Sequence, residues 1–142
     1  MGTRPVAESS DRTTTVELTG LKVMVIDDSN TIRRSAEIFL GQVGCQVLLA
    51  EDGFDALAKI TDHHPDVIFV DIMMPRLDGY QTCPLIKKNA RLRNTPVIML
   101  SSKDGLFDRA RGKMVGSDEY LTKPFTKDSL IKAVAAHAPS PV

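Results

Sequence analysis

The sequence predicts an α/β fold in which a five-stranded parallel sheet carries helices on both faces. Short apolar runs alternate with segments whose apolar residues recur at helical spacing, and this strand–helix unit repeats five times. The third and fourth apolar runs are continuous, which is typical of strands that helices cover on both faces. The chain has 142 residues, of which 42% are hydrophobic, and therefore suits one compact domain.

The apolar runs give the predicted strands, which are Lys22–Ile26, Gln46–Ala50, Asp66–Val70, Pro96–Leu100 and Asp118–Thr122. Two predicted helices begin after Ser29–Asn30 and Asp52–Gly53, and three more cover Gly79–Asn89, Asp104–Val115 and Lys127–His137. Because each right-handed crossover places one helix against the sheet, the pattern predicts a doubly wound (βα)5 sandwich. The flavodoxin-like strand order 2-1-3-4-5 is the usual arrangement for five such units.

Pro84 lies well inside the predicted third helix. Proline lacks a backbone donor, and its ring clashes with the carbonyl four residues earlier. We therefore expect a kink or a late helix start near Thr82–Leu85.

The two ends of the chain differ in amino-acid composition from the rest. Residues 1–20 are rich in Thr, Ser and charge, so they are predicted to form a flexible tail in which only Val16 and Leu18 indicate a docked piece. The folded domain is predicted over residues 21–138, with a short tail at 139–142. No effector domain is expected after the last helix, so output is expected to require another protein.

Charge and cysteine content narrow the class of protein. Lys plus Arg and Asp plus Glu both number 18, so no net positive field favours nucleic acid or an anionic membrane surface. No apolar run approaches the roughly 20 residues that a membrane span needs. Cys45 and Cys83 have apolar neighbours and no metal-ligand spacing, which indicates two reduced core thiols in a cytoplasmic protein.

Polar residues that can bind a metal or take part in catalysis follow the predicted strands. Asp27 and Asp28 follow the first strand, Asp71 the third, Ser101 the fourth and Lys123 the fifth. Ligands of such sheets bind at the carboxyl ends of the strands, so these side chains are expected to meet in one crevice. Three carboxylates there would repel one another unless a cation joined them, and Mg²⁺ prefers such oxygen ligands.

The same set of residues suits transfer of a phosphoryl group. An aspartate carboxylate can act as a nucleophile and form an aspartyl phosphate, while Lys123 and a metal offset charge on the phosphoryl oxygens. A hydroxyl at Ser101 could donate to one of those oxygens. Taken singly, Asp28 or Ser29 would be read as a helix cap and Lys123 as a surface lysine. Their combination at one edge of the sheet favours the chemical interpretation.

Four motifs resemble those of the response-regulator receiver family, in the same order and at fitting separations: VIDDSNTIRR, VDIMMPRLDGY, PVIMLSS and YLTKPF. The resemblance covers about Leu21 to Ala138. More narrowly, the segments DGYQTC and KDGLFDRARGKMVGSDEYLTKPF resemble the type IV pilus twitching-motility regulators, which act with a chemotaxis-like kinase.

The resemblance implies a role for each site residue in the transfer and the switch. Asp71 is implied as the phosphoryl acceptor, Lys123 as the phosphate-binding lysine and Ser101 as the hydroxyl that follows the phosphoryl group. Tyr120 matches the aromatic rotamer switch of the fifth strand, with a half-buried strand aromatic as the alternative. Lys123–Pro124 matches a peptide bond that is cis in the family, and X–Pro bonds adopt this form at low cost.

The resemblance also implies a cofactor, Mg²⁺, with Mn²⁺ as a substitute. Asp28 and Asp71 are implied as direct ligands, and the backbone carbonyl of Met73 would complete the protein ligands. Asp27 is implied as a second acidic residue that reaches the metal largely through water.

The implied function is that of a response regulator in a two-component phosphorelay. A histidine kinase or a phosphotransfer protein would phosphorylate Asp71, and an output protein would bind near the fourth helix, fifth strand and fifth helix, with no nucleic-acid partner and no membrane insertion. We expect no enzyme activity beyond self-phosphotransfer and self-dephosphorylation. One alternative is a Mg²⁺-dependent phosphohydrolase, although Met73 stands where a D-x-D motif would place a second carboxylate. The other is a receiver-like scaffold that needs no phosphorylation.

Overall fold

A computed structural model describes residues 18–102, 110–111 and 113–139. Its five strands form one parallel sheet in the order β2-β1-β3-β4-β5, which confirms the predicted flavodoxin-like order. The strands are β1 Lys22–Ile26, β2 Gln46–Ala50, β3 Val67–Asp71, β4 Val97–Ser101 and β5 Glu119–Thr122. Every predicted strand is therefore present, with bounds that differ by at most one residue.

Four helices have defined bounds within the described residues: α1 Asn30–Gln42, α2 Gly53–Asp62, α3 Gly79–Lys88 and α4 Lys127–His137. The last of these was predicted as the fifth helix. Most of the helix predicted at Asp104–Val115 lies outside the described residues, although residues 110, 111, 113 and 114 are helical.

Alternate strand residues face two separate hydrophobic clusters, one on each face of the sheet. On β1, Met24 and Ile26 point to a cluster that includes residues of α2 and α3, such as Ala56 and Ile86. Val23 and Val25 point to the opposite cluster, which includes residues of α1 and α4. This division explains the continuously apolar strands, because both faces of each central strand are buried.

Side-chain caps start the helices directly after the strand ends. The side chains of Ser29, Asp52 and Asp78 accept a hydrogen bond from the amide three residues ahead, at the first turn of α1, α2 and α3. These N-caps confirm the helix starts predicted at Ser29–Asn30 and Asp52–Gly53. Each cap fixes how the chain turns away from the carboxyl edge of the sheet.

We expected a kink or a late helix start near Thr82–Leu85. The late start is wrong, because α3 begins at Gly79 and contains Pro84. The kink stays a prediction. Asp78 and Gln81 form a capping box, and the Thr82 amide donates to the Asp78 carbonyl at 2.8 Å. The first turn is therefore bonded upstream of the proline, which removes one donor from the helix but does not govern its start.

Packing of the domain extends into the segment predicted as a tail. Leu18 is fully buried, and its carbonyl accepts a hydrogen bond from the Cys45 thiol at 3.6 Å. The amide of Gly20 donates to the Gly44 carbonyl at 2.8 Å. Ordered contacts thus begin at least three residues before the predicted boundary at Leu21.

Cys45 and Cys83 are both buried and free, as the sequence predicts. Among the described residues, none of the helices has the length and apolar character needed to cross a membrane.

Candidate functional site

The carboxyl edge of the sheet collects the polar residues that the sequence singles out. Asp27 directly follows β1, Asp71 ends β3, Ser101 ends β4 and Lys123 directly follows β5. The sheet's hydrogen bonds continue past two of these ends: the Asp27 amide donates to Ala50 at 3.1 Å, and the Lys123 amide donates to Ser101 at 2.6 Å. The backbone of the site is therefore held by the sheet itself.

Three carboxylates converge at this edge. Asp27, Asp28 and Asp71 each offer a carboxylate oxygen, and these oxygens lie within 4.8 Å of one another. Asp27 is completely buried, Asp71 is 2% exposed and Asp28 is exposed. An all-oxygen, triply acidic set with one solvent-facing member has the ligand chemistry that a hard divalent cation prefers. The cluster is compatible with Mg²⁺.

Lys123 bridges the two buried carboxylates. Its ammonium nitrogen lies 3.1 Å from Asp71 Oδ1 and 3.2 Å from Asp27 Oδ2. The Lys123 side chain is 16% exposed, so both ion pairs lie largely out of water. Lysine is therefore the local counter-charge for a pair of acids that would otherwise repel each other.

Burial and the neighbouring charges together shift the pKa values of Asp71 and Lys123. Burial and the neighbouring Asp27 charge raise the pKa of Asp71 to about 6, against the lowering effect of Lys123. Burial alone would lower the pKa of Lys123, but the Asp27 charge and the hydrogen bond to Asp71 together raise it above its ordinary value. Lys123 is therefore protonated at neutral pH. Asp71 is ionised at this pH, although its burial and the Asp27 charge destabilise the ionised form.

The Asp71 carboxylate is held asymmetrically. Lys123 donates to Oδ1 at 3.1 Å, and the Met73 amide donates to the same oxygen at 3.3 Å. Within the described part of the chain, Oδ2 accepts no hydrogen bond. One oxygen of the acid is therefore anchored while the other has no competing donor among these residues.

Asp27 is fixed by contacts that the sequence reasoning did not identify. Its Oδ1 accepts from the Ser29 amide at 2.9 Å, and Arg33 Nη1 donates to its backbone carbonyl at 2.6 Å. Arg33 lies within the first turns of α1, so the capped helix brings it back over the strand end. Arg33 is part of the VIDDSNTIRR motif, but its partner is the backbone carbonyl of Asp27, and no sequence pattern predicts a contact to a backbone oxygen.

Ser101 lies on β4, the strand next to that of Asp71, and Tyr120 lies on β5, one strand further along the sheet. Ser101 is 4% exposed and follows Leu100, the register partner of Asp71. Tyr120 is 9% exposed, pairs in register with Met99 and belongs to the cluster that includes Tyr80. Their roles in switching stay predictions.

Two further predictions concern residues that adjoin Lys123 and the acidic cluster. The Lys123–Pro124 peptide bond is cis, as predicted. Met73 adjoins the acidic cluster and is 69% exposed, and the role of its carbonyl as a ligand stays a prediction.

Comparison with known proteins agrees with this arrangement. The chain matches the response regulator receiver domain over residues 23–135. It is 72% identical over 121 residues to Protein PilG of Pseudomonas aeruginosa, covering 85% of this chain and 90% of that protein. It is 37% identical over 115 residues to the probable transcriptional regulator ycf27 of Cyanophora paradoxa, covering 81% of this chain but only 47% of that protein.

Among solved structures, the chemotaxis protein CheY4 of Vibrio cholerae, crystallised at low pH, superimposes with a TM-score of 0.81 at 32% identity. The match covers 84% of this chain and 99% of that one. Sequence, fold and the acidic edge therefore lead to one assignment: the chain belongs to the response regulator receiver domain family.

Proposed function

We propose that the protein is a phosphorylation switch in which Asp71 accepts a phosphoryl group from the phosphohistidine of a histidine kinase or phosphotransfer protein. The observation that carries the proposal is the asymmetric hold on Asp71. Its Oδ1 is anchored by Lys123 and the Met73 amide, and its Oδ2 lacks a competing donor among the described residues. This leaves Oδ2 as the nucleophile.

In the proposed transfer, Asp71 Oδ2 attacks phosphorus while the phosphorus–nitrogen bond of the donor breaks. The imidazole leaves with the electron pair of that bond and takes a proton from solvent, and an acyl phosphate remains on Asp71. Lys123 already lies beside the acid, so it offsets the negative charge that collects on the phosphoryl oxygens without moving far.

The proposed cofactor is Mg²⁺, with Mn²⁺ as a substitute. Asp28 and Asp71 would hold it directly, Asp27 through water, and Met73 through its carbonyl oxygen. A bound divalent cation supplies positive charge to the acids and to the phosphoryl oxygens. With three carboxylates, one such cation and Lys123, the formal charges of the site sum to zero.

The proposed output is a change in a protein-binding surface. A phosphoryl group on Asp71 would draw in the Ser101 hydroxyl at the end of β4, and Tyr120 on β5 would respond to that movement. The partner would bind near the fourth predicted helix, β5 and α4, and Tyr120 lies on β5. The sequence resemblance to twitching-motility regulators supports a role in type IV pilus or chemotaxis-like motility, in the cytoplasm and downstream of a chemotaxis-like kinase.

Acetyl phosphate tests the acceptor role without a kinase. With Mg²⁺ present, we expect the intact mass of the wild-type chain to increase by one phosphoryl group, whereas Asp71→Asn stays unchanged. Asp62→Asn, at the exposed end of α2, is the matched control and should behave like the wild type. An unmodified wild-type chain would favour the scaffold, and sustained turnover of small phosphate esters would favour the phosphohydrolase.

A further inference from the structure

The segment that follows the proposed acceptor, residues 72–78, is the β3–α3 loop, and both of its ends are tied to the sheet edge. The Ile72 amide donates to Leu100 at 2.9 Å, and the Gly79 amide donates back to Ile72 at 3.1 Å. Between these ties the backbone turns outward, and Met73, Pro75 and Arg76 are exposed. The loop needs further contacts if the Met73 backbone is to keep one position.

Arg76 supplies two contacts from the tip of the loop to the N-terminus of α2. Its Nη2 donates to Asp52 Oδ2 at 2.7 Å, and its guanidinium lies 5.3 Å from the centre of the Phe54 ring. Asp52 and Phe54 flank Gly53, the first residue of α2. A guanidinium that contacts both a carboxylate and an aromatic face is fixed in position, and its charge is balanced as well.

The acceptor of this bond is itself fixed. Asp52 is the N-cap of α2, and its other oxygen, Oδ1, accepts from the Asp55 amide at 2.7 Å. That amide first, and Arg76 in addition, hold the pKa of Asp52 below its usual range. A single exposed ion pair contributes little where both partners must be ordered, but here the helix cap has already ordered one of them.

The backbone at Arg76 shows that the contacts determine the loop's shape. The φ angle of Arg76 is 68°, in the left-handed region. Among the described residues, Arg76 is the one residue other than glycine with a positive φ. A long side chain adopts this conformation only when its surroundings hold it there. Leu77 contributes beside it, because its side chain packs so closely on Gly53 that a Cβ there would lie 2.6 Å from Leu77 Cδ2.

We propose that Arg76 is a positioning residue, which ties the β3–α3 loop to Asp52 and Phe54 and thereby holds the Met73 backbone at the acidic cluster. The part of this inference that concerns metal affinity rests on the proposed function, in which the Met73 carbonyl is a ligand. The tie itself rests on the geometry of the loop alone.

Two variants remove the tie in different ways. Arg76→Gly deletes the side chain and accepts the left-handed backbone without strain. Asp52→Asn keeps a good helix cap but removes the charge that Arg76 meets, and it leaves residue 76 unaltered. Arg93→Gly is the matched control, since it removes an exposed arginine from the loop before β4, at the opposite edge of the sheet.

Hydrogen exchange in the metal-free chain is the first measurement. We expect the amides of Met73, Leu77 and Gly79 to exchange about threefold to tenfold faster in both variants than in the wild type. The double variant should exchange no faster than Arg76→Gly, because both changes break the same contact. Exchange in Arg93→Gly should match the wild type. Loop exchange unaltered in both single variants would overturn the proposal.

Calorimetric titration with Mg²⁺ is the second measurement. We expect the dissociation constant to rise by about threefold to tenfold in Arg76→Gly and Asp52→Asn, and to stay unchanged in Arg93→Gly. Faster loop exchange with an unchanged dissociation constant would overturn the positioning role. If acetyl phosphate fails to modify the wild type, the proposed function fails separately, and the exchange experiment still decides whether Arg76 orders the loop.

Discussion

Lys123 donates to Asp71 Oδ1 at 3.1 Å, although the two residues lie 52 positions apart in the chain. The contact joins the residue after β5 to the last residue of β3, two strands that are separated by β4. Because the same ammonium group also reaches Asp27, one side chain balances both buried acids. Lys123 is therefore the counter-charge that both buried acids share.

Replacement of Lys123 by methionine should impair phosphoryl transfer more than folding. Met retains an apolar chain of similar length but removes the charge that, in the proposed transfer, would face the phosphoryl oxygens. We therefore expect the initial rate with acetyl phosphate to fall by roughly tenfold to a hundredfold. Lys132→Met, at a lysine whose side chain is 77% exposed, is the control and should keep the wild-type rate. A Lys123→Met rate equal to the control would remove the lysine from the mechanism.

The stability of the metal-free protein should depend on pH through Asp71. Its pKa of about 6 in the folded state exceeds the ordinary value of 3.8, so the folded protein binds the proton more tightly than the unfolded chain does. The resulting stabilisation is complete below the ordinary pKa and is lost as the pH rises through about 6. Asp71→Asn removes this dependence.

Denaturant unfolding checks that sign. Between about pH 4 and pH 7.5, the free energy of unfolding of the wild type should fall relative to that of Asp71→Asn by roughly 2 to 3 kcal/mol. Parallel pH profiles for the two proteins would show that Asp71 titrates at its ordinary pKa.

Mg²⁺ should stabilise the folded protein, because its charge offsets the repulsion between the buried carboxylates. At a concentration about a hundredfold above its dissociation constant, Mg²⁺ should raise the free energy of unfolding by about 2.7 kcal/mol near neutral pH. The gain should shrink below about pH 6, where Asp71 takes up a proton. Asp28→Asn should weaken the effect and Asp62→Asn should not. An equal gain in all three proteins would place the bound ion elsewhere.

Gly79, which lies against the backbone of Asp71, should not tolerate a side chain. A Cβ at Gly79 would lie 2.6 Å from the Asp71 carbonyl oxygen and 2.9 Å from Ile72 Cα, and backbone atoms cannot move aside cheaply. We expect Gly79→Ala to lower the free energy of unfolding by about 1 to 3 kcal/mol.

Gly41→Ala is the matched control for that change. Gly41 lies in α1, and a Cβ added there would extend into open space. Alanine at this position should therefore raise the free energy of unfolding by about 0.5 to 1 kcal/mol. Opposite signs for the two variants support the close approach of α3 to Asp71, and equal signs would contradict it.

Local patterns were sufficient to predict the strands, the starts of α1, α2 and α4, and the edge at which the site forms. Asp27, Asp71 and Lys123 could be placed together because parallel strands end at a common edge. The late start of α3 was predicted wrongly because the penalty at Pro84 was weighed without the capping box at Asp78 and Gln81.

Contacts between distant segments were harder to predict. The sequence did indicate Leu18 as part of a docked piece, and this residue is buried in the same cluster as Val23 and Cys45. The extent of the docking was not predicted, because it depends on contacts with residues such as Cys45, 27 positions away. Arg76 was overlooked because its partner Asp52 lies 24 positions away in the chain, and a side-chain contact between distant segments leaves no periodic signal. The shift in the pKa of Asp71 likewise required its burial to be known.

Transfer from a phosphorylated histidine kinase tests the acceptor role of Asp71 most directly. With a chemotaxis-like kinase as donor, label should move from the kinase to this chain, reach one phosphoryl group per molecule and be absent from Asp71→Asn. Label that reaches Asp71→Asn as readily as the wild type would contradict the account, because the phosphoryl group would then be carried by another residue.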